Sequence, residues 1–171
     1  MSTESQASIA ALAARVIELY TRAGAAVATA ESCTGGLVAA ALTEIPGSSA
    51  VVDRGFVTYS NEAKRDLLGV DPETLSSHGA VSKPVAIAMA EGALRASRAK
   101  ATVSITGVAG PGGGSAEKPV GRVHFACAVR GGETHHVEKR FGDIGRAAVR
   151  TASVRTALEL LIEAEQSGDR G

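Results

Sequence analysis

The chain has no tryptophan, and aromatic residues fill only 3% of its 171 positions. Alanine, valine, leucine and glycine must carry the core instead, which suits helices packed closely on a sheet. Charge of one sign is also missing: 18 basic residues balance 18 acidic ones. That balance excludes the basic footprint of a nucleic-acid binder. No run of like charges offers an interaction tail or an anchor for anionic lipid. No apolar stretch approaches the roughly 20 residues that span a bilayer, and no basic segment followed by an apolar one marks the first residues, "MSTESQASIA", as a secretory signal. Cysteine is limited to Cys33 and Cys127, far apart and outside any CxxC pattern. Two reduced thiols in a cytoplasmic protein are the expectation. No His, Cys, Asp or Glu set has ligand spacing, so neither metal nor cofactor is expected. The length suits a single domain over residues 1–171, with its core at about 8–166.

What the chain does have is an alternation of helical and extended patterns. Ile9, Leu12, Ala13, Val16, Ile17 and Tyr20 recur at helical spacing before a stop at Gly24. Extended runs are predicted at 25–30, 50–60, 101–106, 122–129 and 133–141, the last two joined by a Gly131-Gly132 hairpin turn. Helices are predicted at 37–45, at 61–68 with Ser60 as N-cap, at 83–97 with Ser82 as cap, and from Asp143 to near the C-terminus. Residues 69–82 read as turns with one short helical piece. This order predicts an α/β fold, a three-layer α/β/α sandwich with a mixed, mostly parallel sheet. Ligands gather beyond strand ends in such folds. "TAESCTGG" (29–36), "TYSNEAK" (58–64) and "GVAGPGGG" (107–114) each follow a predicted strand and are expected to share one cleft.

Ser32 stands between a strand and a helix. Its hydroxyl is a candidate nucleophile for a carbonyl, with backbone N–H groups of Thr34, Gly35 and Gly36 receiving the developing oxyanion. Ser32 or Thr34 could equally be a simple helix cap. Cys33 is a rival nucleophile, since a helix start lowers a thiol's pKa; strand geometry turns it away from Ser32, which favours a structural role.

A serine needs a base. His78, His124, His135 and His136 lack an evident acidic partner. With Ser60 as N-cap, Tyr59 and Lys64 take the two staple positions, which brings a phenol and an amine together at a strand end. A lysine shielded from water loses its proton more readily and can act as the base, although a lysine on a short helix is commonly solvated. The glycine-rich stretch lacks the Walker Lys-Ser/Thr and runs into a strand, so it is not a P-loop. Its backbone N–H groups suit an anion. Arg146 and Arg150, four apart on the last helix, share a face and are candidates for phosphate.

Taken together, "TAESCTGG", "PGSSAVVDRGFVTYSNEAK", "HGAVS", "GVAGPGGGSAEKPVG" and "FGDIGRAAVR" resemble the signature stretches of the CinA C-terminal domain family, from about Ala10 to Glu165. The resemblance implies an enzyme that hydrolyses the carboxamide of nicotinamide mononucleotide to nicotinate mononucleotide and ammonia. It implies Ser32 as nucleophile acting with Lys64 and Tyr59, no metal, and a nucleotide bordered by Gly107, Ala109, Gly110, Gly112 and Gly113. Arg146 stands in "GDIGRAAVR", where glycine replaces residues commonly charged. The partners expected are a small-molecule nucleotide and a second copy of the chain in a dimer, with no nucleic acid and no membrane. A non-catalytic nucleotide-binding module using the same cleft is the alternative.

Overall fold

In strand β3, Ala101–Gly107, side chains alternate between two faces and so between two helical layers. Val103 and Ile105 enter a large apolar cluster on one face. Thr102, Ser104 and Thr106 face the other way, where their hydroxyls donate to the carbonyls of Ala90, Ala86 and Ala80 at 2.7, 2.6 and 2.9 Å. A strand buried on both sides can carry these hydroxyls because each one finds a backbone acceptor.

The computed structural model describes residues 3–168, with side chains described from residue 9 onward. The other strands are β1 (Val27–Glu31), β2 (Val52–Val57), β4 (Arg122–Val129) and β5 (His135–Arg140). The helices are α1 (Thr3–Ala23), α2 (Leu37–Thr43), α3 (Asn61–Leu68), α4 (Pro72–His78), α5 (Lys83–Arg95) and α6 (Arg146–Gly168). The sheet order is β2-β1-β3-β4-β5. Its β1 is parallel to both β2 and β3, while β4 runs antiparallel to β3 and β5, so four strands share one direction. Helices α1, α2 and α6 cover one face and α3, α4 and α5 the other, giving the three-layer α/β/α sandwich. Small residues carry the contact between α5 and the sheet, with Ala86 and Ala90 against Ala126 and Ala128.

Several boundaries differ from the sequence expectation. Strand β1 runs on to Glu31, and β2 is shorter than 50–60 because residues 48–50 form a 3-10 turn and residues 58–60 turn away to cap α3. Helix α5 stops at Arg95, and α6 begins at Arg146 instead of Asp143. Gly142 and Gly145 both take positive φ, 82° and 99°, which breaks a helix before it can start at Asp143.

Strand order reverses at β1. Its two parallel neighbours are reached by connections on opposite faces of the sheet, α2 on one side and α3–α5 on the other. A crevice opens outside the carboxyl ends of such strands. Ser32 is the first residue beyond β1 at that point.

Candidate active site

Two hydrogen bonds hold the crevice together. The Ser32 N–H donates to the Ile105 carbonyl at 2.9 Å, and the Thr58 N–H donates to the Glu31 carbonyl at 2.9 Å. The ends of β1, β2 and β3 are therefore laced beyond the sheet proper. A cavity of about 210 Å³ opens there. It is lined by Ser32 and Cys33 after β1, Tyr59 and Lys64 after β2, Ala80 and Val81 before α5, Thr106, Gly107 and Ala109 at the end of β3, and Arg146.

Helix α3 delivers Lys64. The Ser60 hydroxyl accepts from the Ala63 N–H at 3.0 Å, the N-cap expected from the sequence. Lys64 and Leu68, one turn apart, form the buried face of α3, so the lysine stem runs inward and the residue is only 1% exposed. Its Nζ donates to the Thr58 carbonyl at 2.8 Å, the Tyr59 carbonyl at 3.3 Å and Ser32 Oγ at 3.1 Å. Burial lowers the lysine pKa to about 8. A neutral amine has two N–H donors and one lone pair. With the donors on the two carbonyls, the lone pair faces the Ser32 hydroxyl.

Tyr59 meets Lys64 through its backbone. Its side chain is 61% exposed, and its hydroxyl accepts from Arg146 Nη2 at 3.1 Å. The expected pairing of phenol and amine is thus replaced by a phenol–guanidinium contact at the cavity mouth. Arg146 Nη1 also donates to the Gly110 carbonyl at 2.9 Å. Arg146 and Arg150 of α6 do not act as a pair: Arg150 turns to the Ser32 turn, donating to the carbonyls of Cys33 at 3.1 Å and Thr34 at 3.3 Å.

The turn itself corrects two expectations. Neither Ser32 nor Thr34 caps α2. Glu31, fully buried, does so from the end of β1, accepting from the N–H groups of Val38 at 2.8 Å and Ala39 at 3.1 Å. Sequence reasoning passed over this carboxylate; the available signal was an acidic residue at a strand end shortly before a helix without a conventional cap. Of the three residues expected to receive an oxyanion, Gly35 has its N–H on the Ser32 carbonyl at 3.0 Å. The Cys33 thiol is raised to about 11 by burial, the reverse of the lowering expected at a helix start, because α2's dipole is met by Glu31 and the thiol is shut away from water.

The glycine-rich segment divides. Gly107 and Ala109 line the Ser32 cavity and Gly110 meets Arg146, whereas Gly112 and Gly113 line a separate, wider cleft with Arg122 and Arg140. Both of those arginines donate to one oxygen of Glu138 at 3.0 Å. His124 and His136 contact each other at 3.0 Å and do not line the Ser32 cavity. Burial lowers His124 to about 4. Among the described residues, no group of three or more His, Cys, Asp or Glu side chains is arranged to hold a metal ion, and no helix is long and apolar enough to cross a membrane.

Comparison with known proteins adds independent lines. The profile of the CinA C-terminal domain matches residues 9–164. Nicotinamide-nucleotide amidohydrolase PncC of Escherichia coli K12 is 58% identical over 139 residues, covering 81% of this chain and 83% of the relative. A CinA-like protein of Syntrophobacter fumaroxidans is 54% identical over 79% of this chain, which spans 31% of that longer protein. Among solved structures, the competence/damage inducible protein CihA of Agrobacterium tumefaciens superposes with a TM-score of 0.90 at 63% identity, covering 91% of this chain and 94% of that one. A CinA superfamily protein of Klebsiella pneumoniae gives 0.87 at 39% identity, covering 93% and 98%.

Proposed function

The chain belongs to the CinA C-terminal domain family, and from that premise we propose that it hydrolyses the carboxamide of a nicotinamide nucleotide, nicotinamide mononucleotide first, by attack of Ser32 with Lys64 as base. One observation carries the reading. A lysine amine, buried and lowered to about 8, stands 3.1 Å from the hydroxyl of a serine at the switch point of the sheet. The similarity to the E. coli amidohydrolase supports the substrate class.

In this mechanism the neutral amine of Lys64 takes the Ser32 proton as Oγ bonds to the amide carbon. Contact between the two groups is direct, so no phenol relay is required. The tetrahedral oxyanion is received by backbone N–H groups of the Ser32 turn other than that of Gly35, which is already held by the Ser32 carbonyl. The lysine returns its proton to the amide nitrogen as the C–N bond breaks and ammonia departs. Water, deprotonated by the same amine, then cleaves the acyl-serine to nicotinate mononucleotide and free Ser32. The pyridinium charge of the substrate opposes the protonated lysine and makes the carbonyl more electrophilic, so substrate binding favours the basic form of Lys64.

A cavity of about 210 Å³ is small beside the roughly 300–1,000 Å³ of typical ligand pockets. It encloses the reacting amide end, and the ribosyl phosphate leaves by the mouth, where the exposed Arg146 and Tyr59 are available to it. Gly107, Ala109 and Gly110 border the ring. Gly112 and Gly113, with their separate cleft, border the more distant part of the nucleotide. A cytoplasmic homodimer belongs to the same reading; light scattering tests the assembly.

The deciding experiment is incubation of the purified protein with nicotinamide mononucleotide, nicotinamide and the dinucleotide, with ammonia and the acid product measured. Release from the mononucleotide is expected. Binding without any ammonia would assign the cleft to a non-catalytic nucleotide-binding module.

A further inference from the structure

Two charged side chains outside the Ser32–Lys64 contact grip the reactive turn from its two flanks. Glu31 holds the N–H groups of Val38 and Ala39, and its second oxygen also accepts from Thr29 Oγ1 at 3.4 Å. The first turn of α2 is therefore already engaged and offers its dipole to Glu31 instead of to a ligand. Arg150 holds the carbonyls of Cys33 and Thr34. The Cys33–Thr34 peptide is trans, and in a trans peptide the C=O and N–H point in opposite directions. Drawing the Cys33 carbonyl toward α6 turns the Thr34 N–H away from α6. The next N–H, that of Gly35, closes the turn on the Ser32 carbonyl.

We infer that Arg150, braced by Glu31, is a positioning residue that holds the Cys33–Thr34 peptide and so sets the turn whose backbone N–H groups receive the oxyanion formed on attack by Ser32. The inference rests on the reading of Ser32 as nucleophile. It moves Arg150 from the phosphate role suggested by its spacing to a role exerted through the backbone. A guanidinium suits this task because its planar fork holds two acceptors at once.

The test compares Arg150→Ala, Arg150→Lys and Ser32→Ala by ammonia release from nicotinamide mononucleotide, with and without added guanidinium chloride at millimolar, non-denaturing concentration. Loss of one oxyanion donor typically costs about 10²–10³ in kcat. Arg150→Ala is expected to lose about a hundredfold in kcat while KM stays within about threefold, because the lost contact acts in the transition state. Guanidinium is expected to restore about tenfold of that loss, and Arg150→Lys, which can hold one carbonyl, should fall between the two. A fold defect alone would not be reversed by guanidinium. If Arg150→Ala does not fold, Arg150→Lys is read alone, with an expected loss of about tenfold in kcat at unchanged KM.

The inference is overturned by an alanine variant with kcat near the parent's, by a rise in KM at unchanged kcat, which would mean contact with substrate, or by a loss that guanidinium leaves untouched. An active Ser32→Ala protein would instead sink the underlying serine mechanism. The two failures are thus told apart.

Discussion

A Cβ built on Gly92 would lie 2.0 Å from the carbonyl oxygen of Leu68, so α5 and α3 meet there in backbone contact. Leu68 ends the helix that carries Lys64. The absence of a side chain at Gly92 therefore lets α3, the helix that carries Lys64, sit this close to α5. Gly92→Ala must push α3 outward, since a backbone carbonyl cannot swing aside. Overpacking of this kind typically costs about 1–3 kcal/mol. The melting temperature is expected to fall by about 2–4 °C for each kcal/mol at this chain length. Activity measured well below the transition should fall further than stability alone explains, because the contact from Lys64 to Ser32 lengthens. An active, less stable protein would separate the α3–α5 packing from catalysis.

The pH profile follows from the lysine. A base must be unprotonated, and burial places Lys64 at about 8 where an exposed lysine stands near 10.5. At pH 6 nearly every molecule carries the inactive ammonium. kcat/KM should climb about tenfold per pH unit below 8 and level off above it. A profile flat from pH 6 to 9 would reject a neutral lysine as the base.

Exchange of the two candidate nucleophiles separates them. Ser32→Ala should lose several orders of magnitude in turnover, on the scale typical of a missing nucleophile, about 10⁴ or more. Cys33→Ala should stay within a few-fold of the parent, since a thiol raised to about 11 supplies little thiolate near neutral pH. A folded but inactive Cys33→Ala protein, with an active Ser32→Ala protein, would transfer the nucleophile to sulfur.

Tyr59→Phe tests whether the phenol transfers a proton. Its hydroxyl faces Arg146, while Lys64 reaches Ser32 unaided. The expected result is a kcat within about threefold of the parent and a higher KM, the pattern of a lost binding contact. A fall of about a hundredfold in kcat at unchanged KM would require the phenol in the proton path.

Much of this molecule was legible before any coordinates. The α3 cap at Ser60, the hairpin before β5, the alternation of helices and strands and the three strand ends that supply the cleft all follow from local pattern. Ser32 and Lys64 were separable as candidates because one follows a strand and the other sits one turn into a helix. Each signal is local: a periodicity, a cap or a turn residue is written in neighbouring positions.

What tertiary structure alone decided are relations between distant charges. Nothing in the sequence shows that Arg146 and Arg150, partners by spacing, part company, one toward Tyr59 and Gly110 and the other toward the Ser32 turn. Nothing local assigns the cap of α2 to Glu31 or turns Cys33 from a helix-start thiol into a shielded one. These outcomes depend on which dipoles and charges become neighbours once water is excluded, and a charge's behaviour in a low-dielectric crevice is set by those neighbours. The sequence by itself determined which elements form and what chemistry each can bring. Only their packing around the end of β1 selected one lysine, shielded from bulk water, to face one serine.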